Sequence, residues 1–92
     1  MTNQNILALG STAQDLKRVA TFIARGSNDN AKRFLDEAKK NAQQANSGYL
    51  RFYLINRLKE VSELEYIPGS DELAERALTI GVILQNAVLA NS

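Results

Sequence analysis

The chain of 92 residues contains no cysteine, no histidine and no tryptophan. Without cysteine it can form no disulfide, no thiolate nucleophile and no cysteine-ligated metal site. Without histidine it lacks the side chain that most often transfers protons near neutral pH. These absences disfavour an enzyme, and we predict no catalytic residue, no cofactor and no metal ligand.

We also recognise no targeting segment and no membrane-spanning segment in the sequence. The N-terminus lacks the positive start and the long apolar stretch of a signal peptide. The longest mainly apolar stretch, residues 77–90, has 14 residues, whereas a membrane span needs about 20. With no disulfide-forming residue, these features are typical of a cytoplasmic protein, and we expect no membrane contact.

What the sequence does contain fits one folded domain over residues 1–92. Apolar residues make up 45% of the chain and charged residues 23%, as in ordinary globular proteins. The net charge is only +1, but the basic residues outnumber the acidic ones in residues 1–48, and the reverse holds in residues 49–92. We therefore expect a soluble domain whose two halves differ in charge.

Apolar residues recur at helical spacing in four segments, which predicts an all-α, antiparallel four-helix bundle. The first helix is predicted from about Thr12 to Arg25, with Ser11 and Gln14 forming a capping box and Gly26 ending it. The apolar segment before it, residues 6–9, is either a short extra helical turn packed on the core or a frayed end.

The remaining three helices are predicted at about 30–46, 49–65 and 71–90. The clearest boundary is the break before the last helix, because Pro68 and Gly69 suit the central positions of a type II turn. Ser70 is then placed to cap the last helix. The aromatic residues of the third helix are predicted to lie mainly in the core, with tyrosine hydroxyls reaching the surface.

The second half of the last helix, residues 80–89, is apolar nearly all round. Such a helix is either central in its own domain or buried against another protein, and four short helices cannot easily surround one of their own number. We therefore predict a protein–protein interaction module, an adaptor or regulatory subunit that forms a homodimer through this helix. The predicted partner-binding residues are Ala77, Ile80, Gly81, Ile83, Leu84 and Val88.

The alternative function is a nucleic-acid-binding accessory module, because basic side chains accumulate in the first half of the chain. Aromatic residues for base stacking are scarce there, and both of them, Phe22 and Phe34, fall at core positions of the pattern. A solvated charged face explains the same residues without a ligand. The candidate phosphate-binding residues are Lys17, Arg18, Arg25, Lys32, Arg33, Lys39 and Lys40.

Overall fold

The computed structural model describes residues 1–91, which form four α-helices and no strand. The helices are α1 (Asn3–Ala24), α2 (Asn28–Gln43), α3 (Phe52–Glu63) and α4 (Asp71–Ala90), and a short 3-10 helix, Ser47–Tyr49, precedes α3. The predicted all-α fold with four helices is confirmed. The predicted bounds of α4 agree with the structure, whereas those of the other three helices do not.

Consecutive helices run in opposite directions. Asn5, near the start of α1, bonds to Asn46, just after the end of α2, and Asn28, at the start of α2, bonds to Tyr66, just after α3. The helix that packs most extensively is α1, which contacts both α2 and α4, whereas α3 touches these two neighbours more sparsely. The central helix is thus α1, not the strongly apolar α4.

The core lies between α1, α2 and α4 and is completed by a few residues from α3 and the segment after it. Its members are mostly leucine and alanine, and the small alanine side chains let the helices approach closely. The largest fully buried apolar side chains are Leu9, Leu16, Val19, Leu35, Leu54, Val61, Leu64 and Leu84.

The first helix begins nine residues earlier than predicted. Thr2 caps it by accepting a hydrogen bond from the Asn5 backbone N–H at 3.2 Å, so Ser11 and Gln14 lie inside the helix and form no capping box. Leu9 is fully buried and extends the core-facing side of α1 toward its start. Packing of this first part against the core outweighs the cost of Gly10 within the helix, about 1 kcal/mol relative to alanine.

Asn5 fastens the start of α1 to the loop that follows α2. Its side chain is fully buried, its Oδ1 accepts from the Asn46 backbone N–H at 2.7 Å, and its Nδ2 donates to the Asn46 carbonyl at 3.1 Å. This pair of bonds holds residues that are 41 positions apart in the chain. Because Asn46 is held in an extended conformation, α2 ends at Gln43 rather than at the predicted residue 46.

The Asn46 side chain also determines where α3 can begin. Its Oδ1 accepts from the Gly48 backbone N–H at 3.1 Å, which supports the 3-10 helix that follows. Arg51 then adopts an extended conformation, so α3 starts at Phe52, three residues later than predicted. Competition from a local side-chain bond to the backbone thus shortens the predicted helix.

The turn before α4 agrees with the prediction. Gly69 has a φ of +67°, as the third position of a type II turn requires, and the Ser70 N–H donates to the Ile67 carbonyl at 3.2 Å. The Ser70 hydroxyl accepts from the Leu73 N–H at 3.1 Å and caps α4. These local signals explain why this boundary is readable from the sequence.

Candidate interaction surface

Four of the six predicted partner-binding residues lie in the core of a single copy. Ala77 and Leu84 are fully buried, and Ile80 and Gly81 are nearly so. A Cβ atom on Gly81 would lie 3.3 Å from the Ala13 carbonyl oxygen, so the glycine allows α1 and α4 to pack closely. These four positions are corrected: they contact the chain's own helices, which leaves them no surface for a partner.

The other two predicted residues are partly exposed. Val88 packs against the edge of the core, and Ile83 has intermediate exposure. They flank the buried face of α4 rather than form the centre of an exposed face. The predicted helix is therefore retained as the candidate, but the residues that a partner would meet are different ones.

The outward face of α4 carries an uncovered apolar stripe. Leu78, Val82 and Leu89 are 46%, 43% and 60% exposed, respectively. They recur at intervals of four and seven residues, which places all three on one side of a helix. We call these three residues the α4 stripe.

No charged residue interrupts the helix around this stripe. Residues 77–91 contain no Asp, Glu, Lys or Arg, and the same is true of residues 1–14 and 41–50. Since neighbouring helices are antiparallel, these three stretches meet at the same end of the bundle. We call this region the uncharged end; Arg51 and Arg57, on or beside α3, border it.

Exposed aromatic side chains lie at the uncharged end. Tyr49, Phe52 and Tyr53 each expose half or more of their surface, so the prediction that they lie in the core is wrong. Tyr49 and Tyr53 line a cavity of about 410 Å³ between the start of α3 and the end of α4. Aromatic residues are enriched in protein–protein interfaces, so this end is a second candidate surface for a partner. The cavity is lined by Met1, Tyr49, Leu50, Arg51, Tyr53, Leu54, Ala87, Ala90 and Asn91.

The seven basic candidates for nucleic-acid binding do not form one surface. Arg18 and Arg33 both lie over the Phe34 ring, at 5.2 and 5.6 Å from its centre, and so belong to the groove between α1 and α2. Lys39 lines the groove between α2 and α3, and Lys32, seven residues earlier, points to the same side of the helix. The basic charge is thus divided between two sides of α2. The other members of the set are Lys17, Arg25 and Lys40.

A buried carboxylate lies between α1 and α2. Burial raises the pKa of Asp15, whereas a hydrogen bond from Asn41 Nδ2 at 2.6 Å and the Arg18 guanidinium at 3.7 Å act in the opposite direction. A raised carboxyl pKa can indicate a functional acid. The Asp15 carboxylate accepts a hydrogen bond from Asn41 across the contact between α1 and α2, and it lines none of the cavities described above. We therefore assign it a structural role.

Two further properties concern metals and membranes. Within residues 1–91, no group of three acidic side chains is arranged to hold a metal ion. By length and composition α4 meets the requirement for crossing a bilayer, with a mean hydropathy of 1.3 over its most apolar window. The prediction of no membrane span rests on residues 77–90 alone, which are too few to cross a bilayer, whereas the whole of α4 has 20 residues and is long enough. A helix packed on one side against a protein core has the same composition, as α4 does against α1.

Comparison with known proteins adds no assignment. No protein-family model matches the chain, and neither a curated protein nor a solved structure matches it. The α4 stripe and the uncharged end are therefore the features of this chain that bear on its function.

Proposed function

We propose that the protein is a small helical interaction module, an adaptor or regulatory subunit, that self-associates through the α4 stripe. The observation that carries this proposal is the exposure of Leu78, Val82 and Leu89 on one side of an uncharged helical segment. Scattered single apolar residues are normal on protein surfaces, but an aligned row of them is typical of a helix–helix interface.

The apolar area available sets the expected strength of association. Complete burial of a leucine or valine side chain contributes about 1.5–3 kcal/mol, and each stripe residue has roughly half of its surface left to bury. Burying the three residues in both copies thus contributes roughly 5–9 kcal/mol, against an association cost of about 4 kcal/mol or more. The net gain is then at most about 5 kcal/mol, so the dimer is expected to be weak, with a Kd of about 0.2 mM or higher.

The test is the solution mass, measured by light scattering across about 20 µM to 2 mM protein, a range that extends about tenfold below and above a Kd of about 0.2 mM. The wild type is expected to approach the dimer mass as the concentration rises. Val82→Asp places a carboxylate at the centre of the stripe and is expected to weaken association by about 100-fold or more, because an unpaired charge is costly to bury.

Two matched controls separate the stripe from general effects of a new charge. Thr79→Asp adds the same charge to an exposed position of α4 that lies off the stripe. Phe52→Asp puts the same charge in place of a large exposed apolar residue at the start of α3, off the α4 stripe. Both are expected to retain dimerisation. A wild type that stays monomeric over the whole range, or three variants with equal effects, would contradict the proposal.

A further inference from the structure

We infer that two copies of α4 pair in antiparallel orientation, with Leu78 of one copy packed against Leu89 of the partner subunit. This inference rests on the proposed function, since it concerns how the α4 stripe is used. In this arrangement a second copy of the chain covers the α4 stripe. The order of charged and apolar residues along the exposed side of α4 favours this pairing.

The α4 stripe is part of a longer row in which the spacing alternates between four and three residues. This alternation keeps the side chains on one seam of a helix, as in a coiled coil. The row contains two acidic residues, then the three apolar ones with a glutamine among them. Its members are Asp71, Glu75, Leu78, Val82, Gln85 and Leu89.

A parallel pair would bring identical residues together along the seam. Asp71 would then face the partner's Asp71, and Glu75 the partner's Glu75, so two layers of like charges would oppose pairing. The dipoles of the two helices would also point in the same direction. The acidic residues at the start of the row thus disfavour the parallel arrangement.

Two antiparallel registers overlap the whole apolar part of the row, from Leu78 to Leu89, in both copies. In one of them Leu89 meets the partner's Asp71, which buries a carboxylate against an apolar side chain. In the other, Leu78 meets the partner's Leu89 at both ends of the overlap. Asp71 and Glu75 then lie beyond the apolar layers, near or past the end of the partner's helix, and remain in water. The second register covers all three apolar residues of each copy and is the one we assign.

Gln85 fits the centre of this register. It is only partly exposed in one copy and lies in the middle of the overlap, where it packs beside the partner's Val82. The two Gln85 side chains lie about three residues, or about 4.5 Å, apart along the helix axis. Each amide can therefore donate to the other, and a polar pair in an apolar seam fixes the register of paired helices.

Lys17 supplies charge complementarity at the ends of the overlap. Ala13 of α1 lies against Gly81 of α4. Lys17 lies one helical turn after Ala13, and Leu78 lies about one turn before Gly81 on α4, which runs in the opposite direction. The exposed Lys17 ammonium is thus at the level of Leu78. The C-terminal end of the partner's α4 reaches this level, and cations stabilise the negative end of a helix.

Because the natural sequence has no cysteine, cysteine variants test this register directly. Leu78→Cys and Leu89→Cys are each oxidised alone and as an equal mixture, with oxidised glutathione as the oxidant, and covalent dimers are counted by non-reducing electrophoresis. In the assigned register Leu78 lies about 16 Å along the axis from the partner's Leu78, too far for a disulfide. The mixture is expected to yield at least about fivefold more covalent dimer than either variant alone.

Gln85→Cys is the positive control, because its two copies are close to the dimer axis and are expected to crosslink without a second variant. Efficient crosslinking of Leu78→Cys by itself would overturn the register, since both the parallel pair and the rejected antiparallel register bring the two Leu78 positions together. If no variant crosslinks although the wild type is a dimer by mass, the register is wrong and self-association stands. A monomeric wild type removes both proposals.

Discussion

Replacing Asn5 with alanine removes both hydrogen bonds that hold the start of α1 to the loop after α2. Asn5 is fully buried, and its two bonds to the Asn46 backbone are 2.7 and 3.1 Å long. A hydrogen bond contributes about 1 kcal/mol net, and truncating a buried side chain leaves unfilled volume besides. We therefore expect Asn5→Ala to lower the free energy of unfolding by about 2–4 kcal/mol.

A loss of about 2–4 kcal/mol is large for a domain of this size, whose total free energy of unfolding is expected to be about 5–15 kcal/mol. The assay is urea unfolding followed by circular dichroism, with wild type and variant at one fixed protein concentration because self-association adds to apparent stability. The corresponding fall in Tm is about 10–20 °C.

Two further variants show whether the effect comes from the bonds. Asn3→Ala changes an exposed asparagine in the same helical turn and is expected to alter stability by less than about 0.5 kcal/mol. Asn5→Asp keeps the acceptor for the Asn46 N–H but loses the donor to the Asn46 carbonyl, so it is expected to be destabilising too. An Asn5→Ala variant as stable as Asn3→Ala would refute the reasoning.

Two other substitutions test the packing of α1. Because burial raises the pKa of Asp15, the folded state holds that proton more tightly than the unfolded state, so this group's contribution to stability falls as pH rises from about 4 through the raised pKa. Asp15→Asn is expected to remove this fall and to be more stable than wild type at pH 7, as urea unfolding at several pH values will show; an unchanged pH profile would count against it. Gly81→Leu forces side-chain atoms toward the Ala13 carbonyl and is expected to lower the free energy of unfolding by about 1–3 kcal/mol. Thr79→Leu, on the exposed side of α4, is expected to change the free energy of unfolding by less than about 0.5 kcal/mol in the same assay. Equal effects of the two leucines would show that the close approach of α1 and α4 has been misjudged.

The parts of the fold that the sequence predicts well are those determined by neighbouring residues. Pro68, Gly69 and Ser70 act on adjacent backbone groups, so the turn and the start of α4 follow from them directly. The start of α1 is different, because Asn5 acquires its role from Asn46, far along the chain. A bond between distant residues leaves no local pattern, and the predicted helix began too late for that reason.

The sequence predicts an interaction surface on α4, and four of the six residues named for it are buried within a single copy. Apolar side chains surround the second half of α4, so periodicity does not distinguish the side that meets α1 from the side that meets water. Gly81 was the available signal: a glycine in mid-helix indicates a close neighbour, and here that neighbour is Ala13 of the same chain. Taking the glycine to mark the internal contact would have assigned Leu78 and Val82 to the outside.

The segregation of charge along the bundle affects how the molecule orients in water. It is about 36 Å long and 17–21 Å across, and its ionised groups gather toward one end of that length. Water solvates that end more strongly than the opposite end, where amides, hydroxyls and exposed aromatic rings replace the charged side chains. At a boundary between water and an apolar phase, each copy is consequently expected to turn the end without charged side chains toward the apolar phase.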